Sequence, residues 1–132
     1  MSKIISLSEA ATIGLHSMVL IARSQEGMNV QSIADLTASS RHHVAKIMQR
    51  LAKDNFLIST RGPSGGFVLK KKPTEINLLD IYECIEGKIE ISSCPMDHQI
   101  CAFDKCLMSN LTQTMTLQVR EYLKSRTLES YI

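Results

Sequence analysis

A glycine-rich turn between two short apolar runs most strongly limits the folds open to this chain. The runs are Phe56–Thr60 and Phe67–Leu69, and the segment Arg61–Gly66 lies between them. Within that segment Pro63 fixes one φ angle, while the glycines are free to take positive φ. The pattern predicts a β-hairpin. Taken alone it describes an ordinary surface hairpin, so its position in the chain decides how it is interpreted.

Two short helices are predicted directly before the hairpin. The first covers Val30–Leu36 and directs Ile33 and Leu36 to the core, and the second runs from the turn at 37–40 to about Asp54. The inner side of the second helix is formed by four apolar residues at helical spacing: Val44, Ile47, Met48 and Leu51. Two short helices joined by such a turn indicate a helix-turn-helix, and a hairpin that follows its second helix is a wing.

The charge distribution favours a surface that binds a polyanion. The net charge is only +2, but residues 41–72 carry eight basic side chains against Asp54 alone, a balance of +7 that leaves −5 on the other hundred residues. The basic residues are Arg41, Lys46, Arg50, Lys53, Arg61, Lys70, Lys71 and Lys72. A solvated basic face is the simple alternative. With a helix-turn-helix, the pattern indicates DNA, with the second helix in the major groove and Arg61 available to the minor groove.

Helices are also predicted on both sides of this segment. Residues 6–9, Ser-Leu-Ser-Glu, fit a capping box in which Ser6 caps a helix that runs to about Ser24 and Glu9 reaches back. Its inner side is predicted to hold Ile13, Leu15, Val19 and Leu20. Farther along, Asn77 caps a helix over Leu78–Glu86 that ends at Gly87.

A long apolar stripe characterises the end of the chain. Helix is expected from about Met108, and its stripe consists of Leu111, Met115, Val119, Tyr122 and Leu123. This stripe can pack back on its own domain or against a second subunit, and the common dimeric state of helix-turn-helix proteins favours the second subunit. The fold class is therefore mainly α with a small β-hairpin wing. Residues 1–75 are expected to form the winged helix-turn-helix domain, and 76–132 a cysteine-containing segment with a dimerisation helix.

Three of the four cysteines lie within thirteen residues, at Cys94, Cys101 and Cys106. They can be oxidised in pairs, hold a metal or serve packing alone, whereas Cys84 on the predicted helix is a small packing residue. The first twenty residues lack the pattern of a signal peptide, and no apolar run is long enough to span a bilayer, so we expect a cytoplasmic protein. In that reducing compartment clustered cysteines are more often metal ligands or redox sensors than disulfides.

The ordered set of motifs resembles the Rrf-type winged-helix regulators of bacteria, the family of IscR, NsrR and CymR. The resemblance covers essentially the whole chain. It is carried by R-G-P-S-G-G-F-V-L at 61–69, L-L-D-I-Y-E-C-I-E-G at 78–87 and Y-L-K-S-R-T-L-E-S-Y-I at 122–132, together with S-R-H-H-V-A-K-I-M at 40–48, which is similar to the recognition helix of NsrR-type members.

The resemblance implies a homodimer, joined through the C-terminal helix, that binds a partly palindromic operator. It implies DNA contacts from the recognition helix and the wing. These residues are Ser40, Arg41, His42, His43, Lys46, Arg50, Arg61, Ser64, Gly65 and Gly66. IscR-type members carry on this helix a glutamate that modulates operator choice, and the matching residue here is Ala45.

Many members hold an iron–sulfur cluster on three cysteines spaced C-x5-C-x5-C, and the spacing here is C-x6-C-x4-C over Cys94, Cys101 and Cys106. The resemblance thus implies a cluster, of the [2Fe-2S] rather than the [4Fe-4S] type. Ser109 stands where IscR-type members have a histidine ligand, and Thr12 where NsrR-type members have an aspartate. The candidates for the fourth ligand are Glu9, one turn before Thr12, and His98 within the loop. A small exogenous ligand or water remains the alternative.

Three alternatives to a cluster-bearing regulator remain. One is a regulator of the same fold without a cluster, sensing through thiol oxidation or a partner protein as CymR-type members do. Another is a structural zinc site formed by the three cysteines and His98. The third is a redox enzyme, which is disfavoured because the chain has no nucleotide-binding glycine motif and no nucleophile–base arrangement, so we expect no enzyme.

Overall fold

The structure is a computed structural model, and it describes residues 1–62, 65–92, 94, 96 and 100–132. In these residues five α-helices and two short 3-10 helices, Pro73–Glu75 and Leu128–Tyr131, accompany one antiparallel hairpin, which confirms the predicted fold class. The elements in chain order are α1 (Glu9–Arg23), α2 (Val30–Thr37), α3 (Arg41–Lys53), β1 (Leu57–Thr60), β2 (Gly66–Leu69), α4 (Leu78–Glu86) and α5 (Leu111–Ser125). None of the helices in these ranges has the length and apolar character needed to cross a membrane.

The helix-turn-helix forms because each of its helices begins at a polar cap. The Asn29 side chain accepts a hydrogen bond from Ser32 N at 2.8 Å, and Ser40 accepts one from His43 N at 3.1 Å. Between the helices, Ala38 takes a left-handed conformation with φ of 51°, which turns the chain. On the inner side of α3 the four predicted core residues, Val44, Ile47, Met48 and Leu51, are all buried, as the spacing predicted.

The predicted burial of α2 was partly wrong, because Leu36 is 65% exposed. Ile33 and Ala34 are the buried residues of this helix. The direction to the core lies between these two side chains, and at 3.6 residues per turn Leu36 points about 110° away from it. An eight-residue helix whose inner side holds Ile33 and Ala34 therefore leaves Leu36 on the surface.

The start of α1 also differs from the prediction. Ser8 rather than Ser6 is the N-cap, and its hydroxyl oxygen accepts a hydrogen bond from Ala11 N at 3.0 Å. Ser8 also donates to the Glu86 carboxylate on α4. This contact ties the first turn of α1 to α4. Glu9 is consequently the first residue of the helix and does not reach back to a cap.

The buried side of α1 is centred on small residues. Leu15, Val19 and Leu20, which were predicted to face the core, are only half-buried, whereas Ile13 is buried as predicted. The other buried residues are Ala11, Gly14, Ser17, Met18 and Ile21. A Cβ atom at Gly14 would collide with the Ile85 side chain of α4. Glycine permits this close approach between the helices. The side of α1 that faces α4 is therefore not the side that hydrophobic periodicity predicts to be buried.

The hairpin pairs Leu57 with Leu69 and Thr60 with Gly66, close to the predicted strands. Backbone hydrogen bonds between Met28 and Phe67 attach it to the segment before α2. A Cβ atom on Gly66 would lie 2.5 Å from the Met28 carbonyl oxygen. Gly66 is therefore required by the attachment of the wing, a structural role that sequence reasoning did not assign to it.

The C-terminal segment returns to the winged domain. Leu78 N donates to Arg126 O at 2.9 Å and Leu128 N to Ile76 O at 3.0 Å, and the Leu128 side chain is fully buried. One hydrophobic core joins residues on both sides of position 76, from Ile13 on α1 to Leu128. The hydrophobic core is thus continuous across the predicted boundary between 1–75 and 76–132. The assignment of different functions to these two segments stays a prediction.

Helix α5 leaves most of its apolar stripe in solvent. It begins at Leu111, three residues after the predicted start, and of the stripe only Leu123 is buried, at 7% exposure. Met115 is half-buried, whereas Leu111, Val119 and Tyr122 are exposed. The described part of the chain therefore covers the C-terminal end of α5 and leaves an exposed apolar surface along the rest.

Candidate nucleic-acid interface and cysteine segment

The outer side of α3 is a basic surface. Arg41, His42, Lys46 and Arg50 are all exposed on it, opposite the buried residues of the same helix. Within the described part of the chain, Arg41, Lys46 and Arg50 form no ion pair with an acidic residue. Their charges are therefore available to an external anion.

His43 differs from its neighbours on α3 because it lies against α1. Its ring is partly covered, with 35% of the side chain exposed, and Nδ1 lies 3.7 Å from Glu9 Oε1. Glu9 itself is 75% exposed. The structure thus places Glu9, a predicted metal-ligand candidate, beside a residue predicted to contact DNA.

The wing and the start of α2 enclose a polar cleft of about 390 Å³ next to the recognition helix. Its lining includes Asn29, Gln31, Arg41, Thr60 and Gly66. Arg61 is exposed at the start of the wing's turn, directly after β1, and Gly65 is half-buried at the end of that turn. Ser64, another predicted DNA contact, lies outside the described residues. Arg41 of the recognition helix and residues of the wing thus line one cleft, and their contacts with DNA stay a prediction.

Two lysines at the base of the hairpin are engaged with the protein. Lys70 Nζ donates to Asn55 Oδ1 at 2.8 Å, and the Lys71 ammonium lies 4.9 Å from the centroid of the Phe56 ring. The second distance is typical of a cation–π contact. These contacts hold both lysines at the end of β2. The two ammonium groups therefore contribute positive potential at the base of the hairpin.

The cysteine segment carries three exposed thiols. Cys94, Cys101 and Cys106 are all free and exposed, while Ser92 Oγ accepts from Cys94 N at 3.2 Å and donates to its carbonyl at 2.8 Å. Among the described residues, no three side chains from histidine, cysteine, aspartate and glutamate are gathered as a metal site. His98 lies outside the described residues. The three thiols are thus accessible, but within the described ranges they are not gathered into one site.

Cys84 has a different environment, as the sequence predicted. It is buried on α4, and its thiol donates to Asp54 Oδ2, at the end of α3, over 3.0 Å. Burial, followed by this hydrogen bond to a carboxylate, raises the pKa of the Cys84 thiol to about 12. A thiol that keeps its proton in this way is a poor nucleophile and a poor metal ligand.

The raised pKa of Cys84 predicts a loss of stability in alkali. Below pH 9, the ordinary pKa of this group, the thiol is protonated in both states and its contribution to stability is complete. As the pH rises toward about 12, the thiol of the unfolded chain ionises first, which favours unfolding. We expect the free energy of unfolding from urea titrations between about pH 8 and 11 to fall less steeply for Cys84→Ser, since serine does not ionise there. If the free energy of unfolding falls equally steeply with pH for wild type and Cys84→Ser, the raised pKa of the Cys84 thiol is contradicted.

An apolar groove between α1 and α2 was missed by sequence reasoning. Its volume is about 830 Å³, and Leu15, Val19, Leu20, Leu36 and Tyr131 contribute to its walls. Three of these residues were assigned to the inner side of α1 and Leu36 to the core. A signal was present in the sequence, since an apolar surface wider than one stripe on α1 exceeds what its own core needs.

Comparison with known proteins agrees with this geometry. The sequence model of the Rrf2 family, described as an iron-dependent transcriptional regulator, matches residues 7–132. The HTH-type transcriptional regulator IscR of Pectobacterium atrosepticum is 24% identical over 110 residues, which cover 83% of this chain and 67% of that protein.

Solved structures show the same fold. CymR, the global cysteine regulator of B. subtilis, superposes with a TM-score of 0.77 at 28% identity, covering 98% of this chain and 99% of that one. IscR of T. potens superposes with a TM-score of 0.74 at 23% identity, covering 96% of this chain and 85% of that one. The IscR relative of Pectobacterium atrosepticum is a transcriptional regulator, the class of protein that the sequence predicted. The match over 7–132 shows that this chain is a DNA-binding transcriptional regulator and belongs to the Rrf2 family.

Proposed function

We propose that this regulator acts in the cytoplasm as a homodimer that binds a partly palindromic operator. The observation that carries the proposal is the amphipathic character of α3. One side of the helix is buried, and the other exposes the cations Arg41, Lys46 and Arg50. The buried residues are Val44, Ile47, Met48 and Leu51. The buried side fixes the helix to the domain. The exposed side offers cations to phosphates and side chains to base edges, as recognition helices do in the major groove.

The wing completes the proposed DNA surface. Its place beside Arg41 lets α3 and the hairpin meet adjacent grooves of one duplex. The contacts proposed on α3 and its cap are Ser40, Arg41, His42, His43, Lys46 and Arg50, and those on the wing are Arg61, Ser64, Gly65 and Gly66. Residues 1–75 would thus bind DNA, and residues 76–132 would sense and dimerise.

The exposed side of α5 supports dimerisation. Leu111, Val119 and Tyr122 would leave solvent if two copies of the helix packed together. Each is already about half covered, so burying the rest of such a side chain stabilises association by roughly 1 kcal/mol. A dimer presents two recognition helices, which suits a palindrome with two half-sites.

We further propose that Cys94, Cys101 and Cys106 hold an iron–sulfur cluster of the [2Fe-2S] type. The chemistry of the donor set fits, because the three thiols are free and exposed and cysteine thiolate is the usual ligand of such clusters. Glu9 is the proposed fourth ligand, with His98 as the alternative. When bound, the cluster would supply one-electron redox chemistry and reactivity toward oxygen and nitric oxide, to which operator affinity would be coupled.

A second candidate is regulation without a cluster. It is favoured by the similarity to CymR over nearly the whole chain, and by the separation of the thiols in the described residues. In this case Cys94, Cys101 or Cys106 would be oxidised reversibly, or a partner protein would bind this segment. Their exposure suits either event.

The DNA-binding proposal is tested by fluorescence anisotropy with a labelled duplex from the region upstream of the protein's own gene. Replacing Arg41 with alanine is expected to weaken binding roughly tenfold to a hundredfold, because a base or phosphate contact in the major groove is lost. The matched control is Lys124→Ala, which removes one charge from an exposed position on α5, away from the recognition helix, and should change affinity less than about twofold.

The salt dependence gives a second readout of the same contact. If Arg41 binds a phosphate, the slope of log affinity against log salt should fall by about one for Arg41→Ala. A wild-type protein that binds no duplex, or an Arg41→Ala variant as tight as wild type, would contradict the proposed surface.

A further inference from the structure

We propose that the polar cleft between α2 and the wing holds a backbone phosphate of the operator, and that Gln31 on α2 contacts this phosphate beside Arg41. The inference rests on the proposed function, in which α3 and the wing meet adjacent grooves of one duplex. It adds a DNA contact from α2, outside the recognition helix and the wing.

The cleft lies where a strand of the sugar–phosphate backbone has to pass. In a duplex, one backbone strand separates each major groove from the adjacent minor groove. Arg41 is the first residue of α3, which is proposed to enter the major groove, whereas Thr60 and Gly66 belong to the wing, which is proposed to reach the minor groove. All three line the same cleft of about 390 Å³. The backbone strand between the two grooves would therefore cross this cleft, and Gln31 would stand beside it.

The lining of the cleft suits an anion. Among the described residues that form it, Arg41 carries the only charge, so an entering phosphate meets a cation and no carboxylate. The Thr60 hydroxyl does not supply a hydrogen bond to the phosphate, because it donates its one proton to the Gly66 carbonyl oxygen at 3.2 Å. Gln31 is the side chain of the lining whose donor has a fixed direction.

The direction of the Gln31 amide is set by Asp35, one helical turn later. Gln31 Nε2 donates to Asp35 Oδ1 at 2.8 Å. An ionised carboxylate accepts hydrogen bonds and donates none, so the nitrogen and not the oxygen of the amide faces Asp35. This nitrogen carries two protons, and within the described ranges the second one has no hydrogen-bond acceptor. It is therefore available to a phosphate oxygen, which only accepts.

A contact to the backbone predicts an effect that does not depend on base sequence. Gln31→Ala is expected to weaken operator binding about threefold to tenfold for each half-site, the range of an ordinary hydrogen bond, and equally for operators of different sequence. The slope of log affinity against log salt should stay unchanged, because a neutral amide displaces no counterion. The matched control is Gln113→Ala on α5, which should change affinity less than about twofold.

The phosphate itself is located by neutralising one phosphate at a time. Duplexes that carry a single methylphosphonate at successive positions of a half-site are titrated with the full chain and its variants by fluorescence anisotropy. One position should cost wild type about tenfold in affinity and cost Gln31→Ala at least threefold less. The cost at that same position should also be smaller for Arg41→Ala, whereas Gln113→Ala should give the wild-type profile.

The outcomes separate this inference from the function on which it rests. Gln31→Ala as tight as wild type, a loss that varies with base sequence, or equal methylphosphonate profiles for Gln31→Ala and wild type would overturn the phosphate contact of Gln31, while Arg41→Ala still weakens binding. Equal thermal unfolding midpoints for Gln31→Ala and wild type are expected, and a large drop would assign the loss of affinity to the fold instead. If the proposed function is wrong, wild type binds no duplex at all.

Discussion

The Cys101→Ser variant is expected to bind neither iron nor sulfide after anaerobic purification or reconstitution, whereas wild type binds both. Cys101 is the middle of the three exposed thiols, so its loss leaves two cysteine ligands for a cluster that needs about four protein ligands. A serine hydroxyl stays protonated at neutral pH and does not replace a thiolate. The measurement is iron and acid-labile sulfide per chain, with the visible spectrum as a second readout.

Cys84→Ser provides a matched control within the same chain. It is the same substitution at a buried thiol that donates to Asp54 and whose raised pKa keeps it protonated. This variant should bind wild-type amounts of iron and sulfide. If it loses the cluster and Cys101→Ser retains it, the ligand assignment is wrong.

The same measurement separates the alternatives for the cysteine segment. Zinc without sulfide in wild type, lost in Cys101→Ser, would indicate the structural zinc site. Wild type free of iron, zinc and sulfide even after reconstitution would contradict the cluster and leave thiol or partner sensing. In that case Cys101→Ser should still change the response of operator binding to a mild oxidant, because the exposed thiol would be the reactive group.

The helix-turn-helix and wing were predictable because their signals are local. Ser40 caps α3, the spacing of Val44, Ile47, Met48 and Leu51 marks its inner side, and the glycines of 61–66 mark the turn. The features that were missed depend on tertiary contacts. The shift of the α1 cap from Ser6 to Ser8 accompanies the contact with Glu86, and the role of Gly14 depends on Ile85 of a helix about seventy residues later.

In the candidate site, too, the features within one helix were predictable and those that depend on contacts between elements were not. Residues on one helix, such as Lys46 and Arg50, could be assigned to one surface from their spacing of four alone. The approach of Glu9 to His43 joins two helices, and no pattern in either helix marks it. The geometry of the three cysteines was not predictable from the sequence, because a segment without periodicity does not specify how its side chains are oriented.

Val119→Glu is expected to convert the proposed dimer into monomers and to weaken operator binding by roughly a hundredfold or more. Val119 is 38% exposed on the apolar surface of α5, between the neighbouring Met115 and the buried Leu123. A carboxylate there would be buried unpaired in a dimer, which costs several kcal/mol, but it remains solvated in a monomer. A monomer holds one recognition helix, so the gain from binding two linked half-sites, commonly 10²–10⁴, is lost.

The matched control, Gln113→Glu, introduces the same charge into the same helix at an exposed polar position on a different side. Light scattering and anisotropy should show it as a dimer with near wild-type affinity, while Val119→Glu is monomeric with a similar thermal unfolding midpoint at low protein concentration. A dimeric Val119→Glu with intact operator binding would remove α5 from the interface. Monomers that still bind the full operator as tightly as wild type would show instead that two half-sites are not bound together. That result would contradict the palindromic operator but would leave the proposed role of the recognition helix unchanged.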